Sequence, residues 1–229
     1  MPITLVGNIQ LHYEVMGEGP RLLLLGGTGW DLRAPKSPFE RSLHKQFTVL
    51  RYDQRGQGQS DKPDFAYSMQ DYADDCAQLL AVLAWQQVPV IGISFGGMVA
   101  QHLAISYPQH VSRLVLACTS SGGEGGASYP LHEMQHYPPE EYARRFSLLA
   151  NRSRDAAWQE RNPQMHAVLV NELRNARLNL KDDDKIGLQR QLAARMQHDT
   201  WARLPELAMP VLVCGGEFDD ICPEENLRI

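Results

Sequence analysis

Gly92-Ile93-Ser94-Phe95-Gly96-Gly97 is the stretch that decides the fold. It follows Val88 to Ile93, an apolar run of strand length, and precedes a helical pattern that begins near Met98 and runs to Tyr107, where Pro108 stops it. Only small residues suit a turn this sharp. Side chains at 92 and 96 would collide with the neighbouring strand and helix, and the turn itself forces Ser94 into a strained backbone conformation. Such a turn points the serine oxygen into the crevice at the carboxyl edge of a sheet. The first N–H groups of the following helix, with the positive end of its dipole, lie beside it.

The surrounding pattern is that of a sheet covered by helices. Ile9, Leu11, Tyr13 and Val15 alternate with polar residues, as a half-buried strand does, and Gly7-Asn8 marks a hairpin turn from a short strand before it. Leu22 to Leu25, Phe47 to Tyr52, Val88 to Ile93, Val111 to Cys118 and Val211 to Cys214 read as strands buried on both faces. Tyr72, Cys76, Leu79, Leu80 and Leu83 share one face of a helix ending near Trp85. Strands alternating with helices predict a parallel sheet with both faces covered. Residues 121–200 break the alternation: a glycine-rich opening at Gly122, Gly123, Gly125 and Gly126 leads to helices only, over Glu140 to Ala150, Met165 to Leu178 and Lys185 to Gln197. The expectation is a core formed by 1–120 and 201–229, with 121–200 as a helical lid over the strand ends.

Gly26-Gly27-Thr28-Gly29 directly follows the Leu22 to Leu25 strand. Glycines there let the backbone approach a ligand and aim N–H groups at it. Acyl transfer needs two donors where a tetrahedral oxyanion forms, and the N–H groups of Thr28 and Phe95 are the candidate oxyanion hole.

With these segments in place, the chain resembles the α/β-hydrolase superfamily. It is most similar to the lid-bearing serine hydrolases: esterases, enol-lactonases, carbon–carbon bond hydrolases and cofactor-free haloperoxidases. The matching residues are Gly26 to Gly29, Asp53-Gln54-Arg55-Gly56-Gln57-Gly58-Gln59-Ser60, the turn at Gly92 to Gly97, and Gly215-Gly216-Glu217-Phe218-Asp219. The resemblance implies an α/β fold, a mostly parallel twisted sheet flanked by helices with an inserted helical lid. It implies Ser94 as nucleophile, Asp219 as the acid that orients a histidine, and no metal or organic cofactor. The Asp53 to Ser60 loop is expected to be structural, organised by Arg55. The family often carries His-Gly where this chain has Gly26-Gly27, a departure that bears on loop shape.

The order of the triad in this family is serine, acid, histidine. All eight histidines, His12, His44, His102, His110, His132, His136, His166 and His198, precede Asp219. None is nominated as the base. His102 lies two turns past Ser94 and points away from the crevice, His44 and His110 are expected at the surface, and the last four fall in or near the lid. The favoured expectation is therefore a hydrolase truncated at its C-terminus, with the last strand and helix missing and the base supplied from beyond Ile229; a sheet completed by a partner or swapped segment, and a natural short form without hydrolase activity, are the alternatives. Its substrate is a small apolar ester, lactone or related acyl compound. The rival is a non-catalytic protein that binds a small ligand on a hydrolase scaffold.

Composition narrows the partners. Hydrophobic residues make up 43%, charged residues 21%, and the formal net charge is −5 with scattered Lys and Arg, so no basic stripe points to nucleic acid. No apolar run approaches the ~20 residues of a membrane helix, and the start lacks a signal-peptide pattern. The four cysteines match no zinc or redox spacing; Cys118 and Cys214 are expected inside buried strands, and a reduced cytoplasmic protein follows. The unpaired sheet edge is compatible with self-association into a homo-oligomer. Trp30, Phe95 and Met98 are candidates for an apolar pocket.

Overall fold

The computed structural model describes residues 2–227. Strand β1 (Ile3–Val6) forms a hairpin with β2 (Ile9–Met16), and β3 (Arg21–Leu25) follows. Helix α1 (Pro38–Leu43) leads to β4 (Thr48–Tyr52), α2 (Met69–Val82) to β5 (Val88–Ile93), and α3 (Phe95–Ser106) to β6 (Val111–Ala117). Four helices come next: α4 (Pro139–Ala150), α5 (Ala156–Arg161), α6 (Pro163–Leu178) and α7 (Asp182–Met196). Strand β7 (Val211–Cys214) returns to the sheet. The sheet order is β1-β2-β4-β3-β5-β6-β7, antiparallel for β1, β2 and β4 and parallel from β4 onward. This is the α/β architecture expected from the strand and helix pattern.

Continuous apolar strands arise because both sheet faces are covered. Leu23 and Leu25 join Leu50, Val90, Leu114 and Leu116 in the larger core, against Tyr72, Leu79, Leu80 and Phe95 of α2 and α3. Leu22 and Leu24, one residue out of phase, face the other way and pack with Val49 near Leu43, Phe47 and Ile91. β7 departs from expectation: Val211, Leu212 and Cys214 are exposed, Leu212 at 60%. It pairs with β6 alone among the described residues, so a strand read as buried on both faces has one side open. For the same reason Cys214 is exposed, not interior.

Capping moves several helix starts. Ser68 accepts from the Asp71 N–H while Asp71 accepts from the Ser68 N–H, so α2 begins at Met69, three residues ahead of its first apolar face residue. The same reciprocal box at Ser37 and Glu40, with Pro38 in the first turn, starts α1, which the apolar periodicity did not reveal. Asp155 caps the short α5, also unforeseen.

The two buried arginines of the core are each paired twice. Arg51 meets Glu14 at 3.1 Å and also Glu40; Arg55 meets Asp75 at 2.6 Å and Asp71 at 3.2 Å. Asp53, not Arg55, organises the Asp53 to Ser60 loop. Its carboxylate accepts from the N–H groups of Leu32 (2.6 Å) and Gln59 (2.8 Å), while Arg55 reaches out to α2.

The stems of the helical segment between β6 and β7 meet at one place. Gly122 and Asp199 form an isolated antiparallel bridge, and the Thr200 N–H donates to the Ser121 carbonyl at 2.7 Å. From there α7 is tied to the core: Asp184 meets Arg33 at 3.1 Å and Lys62 at 3.6 Å. Among the described residues no helix is long and apolar enough to cross a membrane.

Candidate active site

Ser94 occupies the N-cap of α3 with φ 54° and ψ −118°, a left-handed conformation that costs a non-glycine residue on the order of 1–3 kcal/mol. Three contacts hold it there. Its N–H donates to the Ala117 carbonyl at 2.8 Å, its carbonyl accepts from the Thr119 hydroxyl at 2.8 Å, and the same carbonyl accepts from the Gly97 N–H at 2.9 Å. Packing explains the glycines. A Cβ at position 96 would lie 2.2 Å from the Leu25 carbonyl oxygen, and one at 92 would lie 2.5 Å from the Gly96 oxygen. Helix α3 therefore starts at Phe95, three residues earlier than its sequence pattern suggested, because close packing overrides the poor helix propensity of two glycines.

The Gly26 to Gly29 turn lies against this elbow. A methyl group on Gly27 would touch the Ser94 Cβ at 3.4 Å, so the backbone itself faces the serine. The turn is braced from three sides: the Trp30 N–H donates to the Gly27 carbonyl (3.2 Å), Gln54 donates to the Gly26 carbonyl (3.0 Å), and the Gly29 N–H donates to Gln191 of α7 (2.8 Å). The missing His of the family pattern has a local reason: the Trp30 ring sits where a side chain at 26 would project, 2.5 Å from its Cβ. Among the described residues, neither the Thr28 nor the Phe95 N–H is engaged by a protein acceptor.

Asp219 sits half-buried in the loop after β7. One carboxylate oxygen accepts the N–H groups of Ile221 (2.9 Å) and Cys222 (3.0 Å), which fixes the side chain. Its charge is felt by two thiols. Burial, and then Asp219, pushes the Cys118 thiol up; the same two causes take Cys222 up to about 12. Neither thiol is an activated nucleophile at neutral pH.

Ser94, Thr28, Cys118 and Asp219 line one cavity of about 430 Å³, roofed by side chains of the helical segment such as Phe146, Leu188 and Leu192. Its few polar groups include Arg177, which donates to the Gln135 side chain at 2.9 Å and stacks 4.4 Å from the centre of the Tyr142 ring. No histidine lines this cavity among the described residues. His12 is buried in β2; His44 and His110, expected at the surface, are half-buried; His198 is buried and accepts or donates to His102 across 3.2 Å. Trp30, Phe95 and Met98 do not line it either. Phe95 and Met98 are core residues, and Trp30 stacks with the Arg51 guanidinium 4.4 Å from its ring centre. The described residues hold no group of three or more His, Cys, Asp or Glu arranged for a metal ion.

The family described as alpha/beta hydrolase fold matches residues 20–229. The chain belongs to the α/β-hydrolase family. Among curated proteins, this hydrolase-fold chain is 40% identical over 111 residues to an uncharacterized protein of Mycobacterium tuberculosis, a match covering 48% of this chain. It spans 32% of that protein's length, about a third. It is 28% identical over 210 residues to the poly(3-hydroxyalkanoate) depolymerase of Ectopseudomonas oleovorans, covering 91% of this chain and 71% of that protein. Among solved structures, an enol-lactonase from Burkholderia xenovorans LB400 superposes with TM-score 0.79 at 24% identity, covering 99% of this chain and 85% of that one. A hydrolase from Pseudomonas aeruginosa PA01 superposes with TM-score 0.77 at 27% identity, covering 98% and 84%.

Proposed function

We propose that the protein is a serine hydrolase that cleaves a small-molecule ester, lactone or related acyl bond through an acyl-enzyme on Ser94. One observation carries this reading: a strained serine at a helix N-terminus shares a cavity with a fixed carboxylate, and two unengaged N–H groups flank it. Ser94 attacks the carbonyl carbon, and the N–H groups of Thr28 and Phe95 take the oxyanion. Collapse of the tetrahedral adduct expels the alcohol and leaves the acyl group on Ser94; water then releases it. The reading needs a general base that none of the eight histidines supplies in this arrangement. An imidazole from outside the described residues, oriented by the Asp219 carboxylate, completes it.

The helical segment acts as the lid that sets acyl size. Its apolar lining favours an uncharged chain, and Arg177 adds a single positive group for a polar end. Relatives named as a depolymerase of poly(3-hydroxyalkanoate) and a 2-(acetamidomethylene)succinate hydrolase agree with a hydrolytic role. Four free cysteines suit a reducing compartment such as the cytoplasm.

A second reading has its own support. A large apolar cavity without an imidazole also suits a binding protein on a hydrolase scaffold. A p-nitrophenyl ester distinguishes the two. The proposal expects a Ser94-linked acyl adduct by intact mass, formed without rapid turnover, since loss of the base in such a triad lowers turnover by on the order of 10⁶. Equal p-nitrophenol release by the wild type and Ser94→Ala, with no adduct, overturns the serine reading. Equal ligand affinity in the two then establishes the binding role.

A further inference from the structure

Arg195, on α7 near the root of the helical segment, is 7% exposed and has no carboxylate within ion-pair distance among the described residues. The contrast lies within the same molecule: Arg51 and Arg55 are as deeply buried, and each meets two carboxylates. Arg195 instead donates to the Tyr129 carbonyl at 2.8 Å and the Ser128 hydroxyl at 2.6 Å, while its Nε has no partner. Burial pulls its pKa down, with a neighbouring thiol, Cys222, as the opposing influence. A buried guanidinium without a counter-charge is among the costliest arrangements in a folded protein.

The guanidinium borders a second cavity, of about 150 Å³, separate from the one that holds Ser94. Ser120, Ser128, His132, His198 and Met98 share its lining. Ser120 is 1% exposed, and its hydroxyl has no hydrogen-bond partner. Ser128, accepting from Arg195, retains its own hydroxyl hydrogen for donation. His198 adds no acceptor charge and no positive one. Its Nε2–H donates to the Ser120 carbonyl at 2.9 Å, its Nδ1 accepts from His102, and burial holds its pKa near 4, so the ring is neutral at pH 7. The cavity thus offers one unpaired cation and two hydroxyl donors, with no carboxylate in its lining.

We propose that this cavity is a binding site for a small inorganic anion, a halide or a tetrahedral oxyanion, held by Arg195 with the hydroxyls of Ser120 and Ser128. The anion supplies the counter-charge that the fold omits. It sits where the chain enters and leaves the helical segment, beside the Gly122–Asp199 bridge, and so ties α7 to the loop after β6. It does not take part in the chemistry at Ser94 and is independent of the hydrolase reading.

Thermal unfolding followed in gluconate buffer at constant ionic strength tests this, with chloride titrated in one arm and inorganic phosphate in another. The midpoint is expected to rise by about 3 °C or more in at least one arm, saturating as a single-site isotherm. Ser120→Ala should weaken binding about tenfold, the loss of one good hydrogen bond, and Arg195→Met should abolish the shift. The arm that saturates identifies halide or oxyanion. If Arg195→Met does not fold, Ser120→Ala and a bromide-soaked crystal decide: an anomalous peak beside the Arg195 guanidinium supports the site. No midpoint rise in either arm, a rise equal in wild type and Ser120→Ala, or an empty cavity in bromide overturns it.

Discussion

Ser94 and Asp219 face one cavity, yet the two ends of the site are built on opposite terms. The serine side is interior: β5 lies between β3 and β6, α3 packs across it, and Phe95, Gly96 and Gly97 are buried. The acid side hangs from β7, whose residues are mostly exposed, and its loop is held by its own turn hydrogen bonds together with the helical segment: the Arg152 N–H donates to the Phe218 carbonyl, the Asp220 N–H to the Leu149 carbonyl and the Tyr129 N–H to the Ile221 carbonyl. Strain is held on one side only. A left-handed serine survives only where packing on all sides over-determines it. A carboxylate needs just two backbone donors to keep its direction, so it can sit on an edge.

The contrast is broken most sharply from the serine side. Gly96→Ala places a methyl group against a backbone oxygen that has nowhere to move, and stability should fall by about 4 kcal/mol or more, measured by urea unfolding. A loss under about 1 kcal/mol would mean that the elbow is looser than its contacts indicate.

The next largest effect lies at the root of the helical segment. His102 and His198 both have their pKa lowered to about 4, burial being the first cause for each, against 6.5 for a free ring. Between those pH values the unfolded chain binds protons that the folded chain refuses. Stability should therefore fall as pH drops from 6.5 toward 4, by up to about 3 kcal/mol per ring, and level off below. His102→Gln should flatten the slope of unfolding free energy against pH; an unchanged slope would rule out the buried pair as its source.

On the acid side the expected change is small in stability and visible in reactivity. Asp219→Asn keeps an oxygen for the Ile221 and Cys222 N–H groups, so stability should change by less than about 1 kcal/mol. Removing the charge lowers the Cys118 pKa, because the carboxylate is what raises it after burial. Cys118 should then alkylate several-fold faster at pH 8, read by peptide mass spectrometry. A rate unchanged or slower would place Asp219 away from that thiol. Smallest of all is the tip of the helical segment, where Glu140 and Arg144 form an exposed pair at 3.2 Å. Glu140→Gln should shift the unfolding midpoint by no more than the equivalent of about 0.5 kcal/mol.

What the sequence disclosed follows the same division. The elbow, the Gly26 to Gly29 turn and the parallel strands were legible because each depends on local residue types at fixed spacing. Other features depend on what packs from elsewhere. Nothing local distinguishes β7 from an inner strand, since Val-Leu-Val-Cys reads the same with one neighbour or two. Asp53 is not legible as the centre of its loop because its partners, Leu32 and Gln59, come from either side of it in the chain. Trp30, Phe95 and Met98 are pocket candidates by residue type, and only packing takes Phe95 and Met98 into the core and sets Trp30 against Arg51. The capping boxes at Ser37 and Ser68 were present in the sequence; a search for Ser followed three residues later by an acid would have found both helix starts.

The bridge between Gly122 and Asp199 has a consequence for how such molecules diversify. Seventy-odd residues leave the sheet and come back through a single doorway. Whatever lies beyond that doorway can lengthen, shorten or be exchanged for a foreign piece without altering the pairing of β6 with β7. A graft has that junction to match, along with the contacts by which α7 meets Gly29, Arg33 and Lys62, and the elbow behind it keeps its shape while the chamber in front is rebuilt.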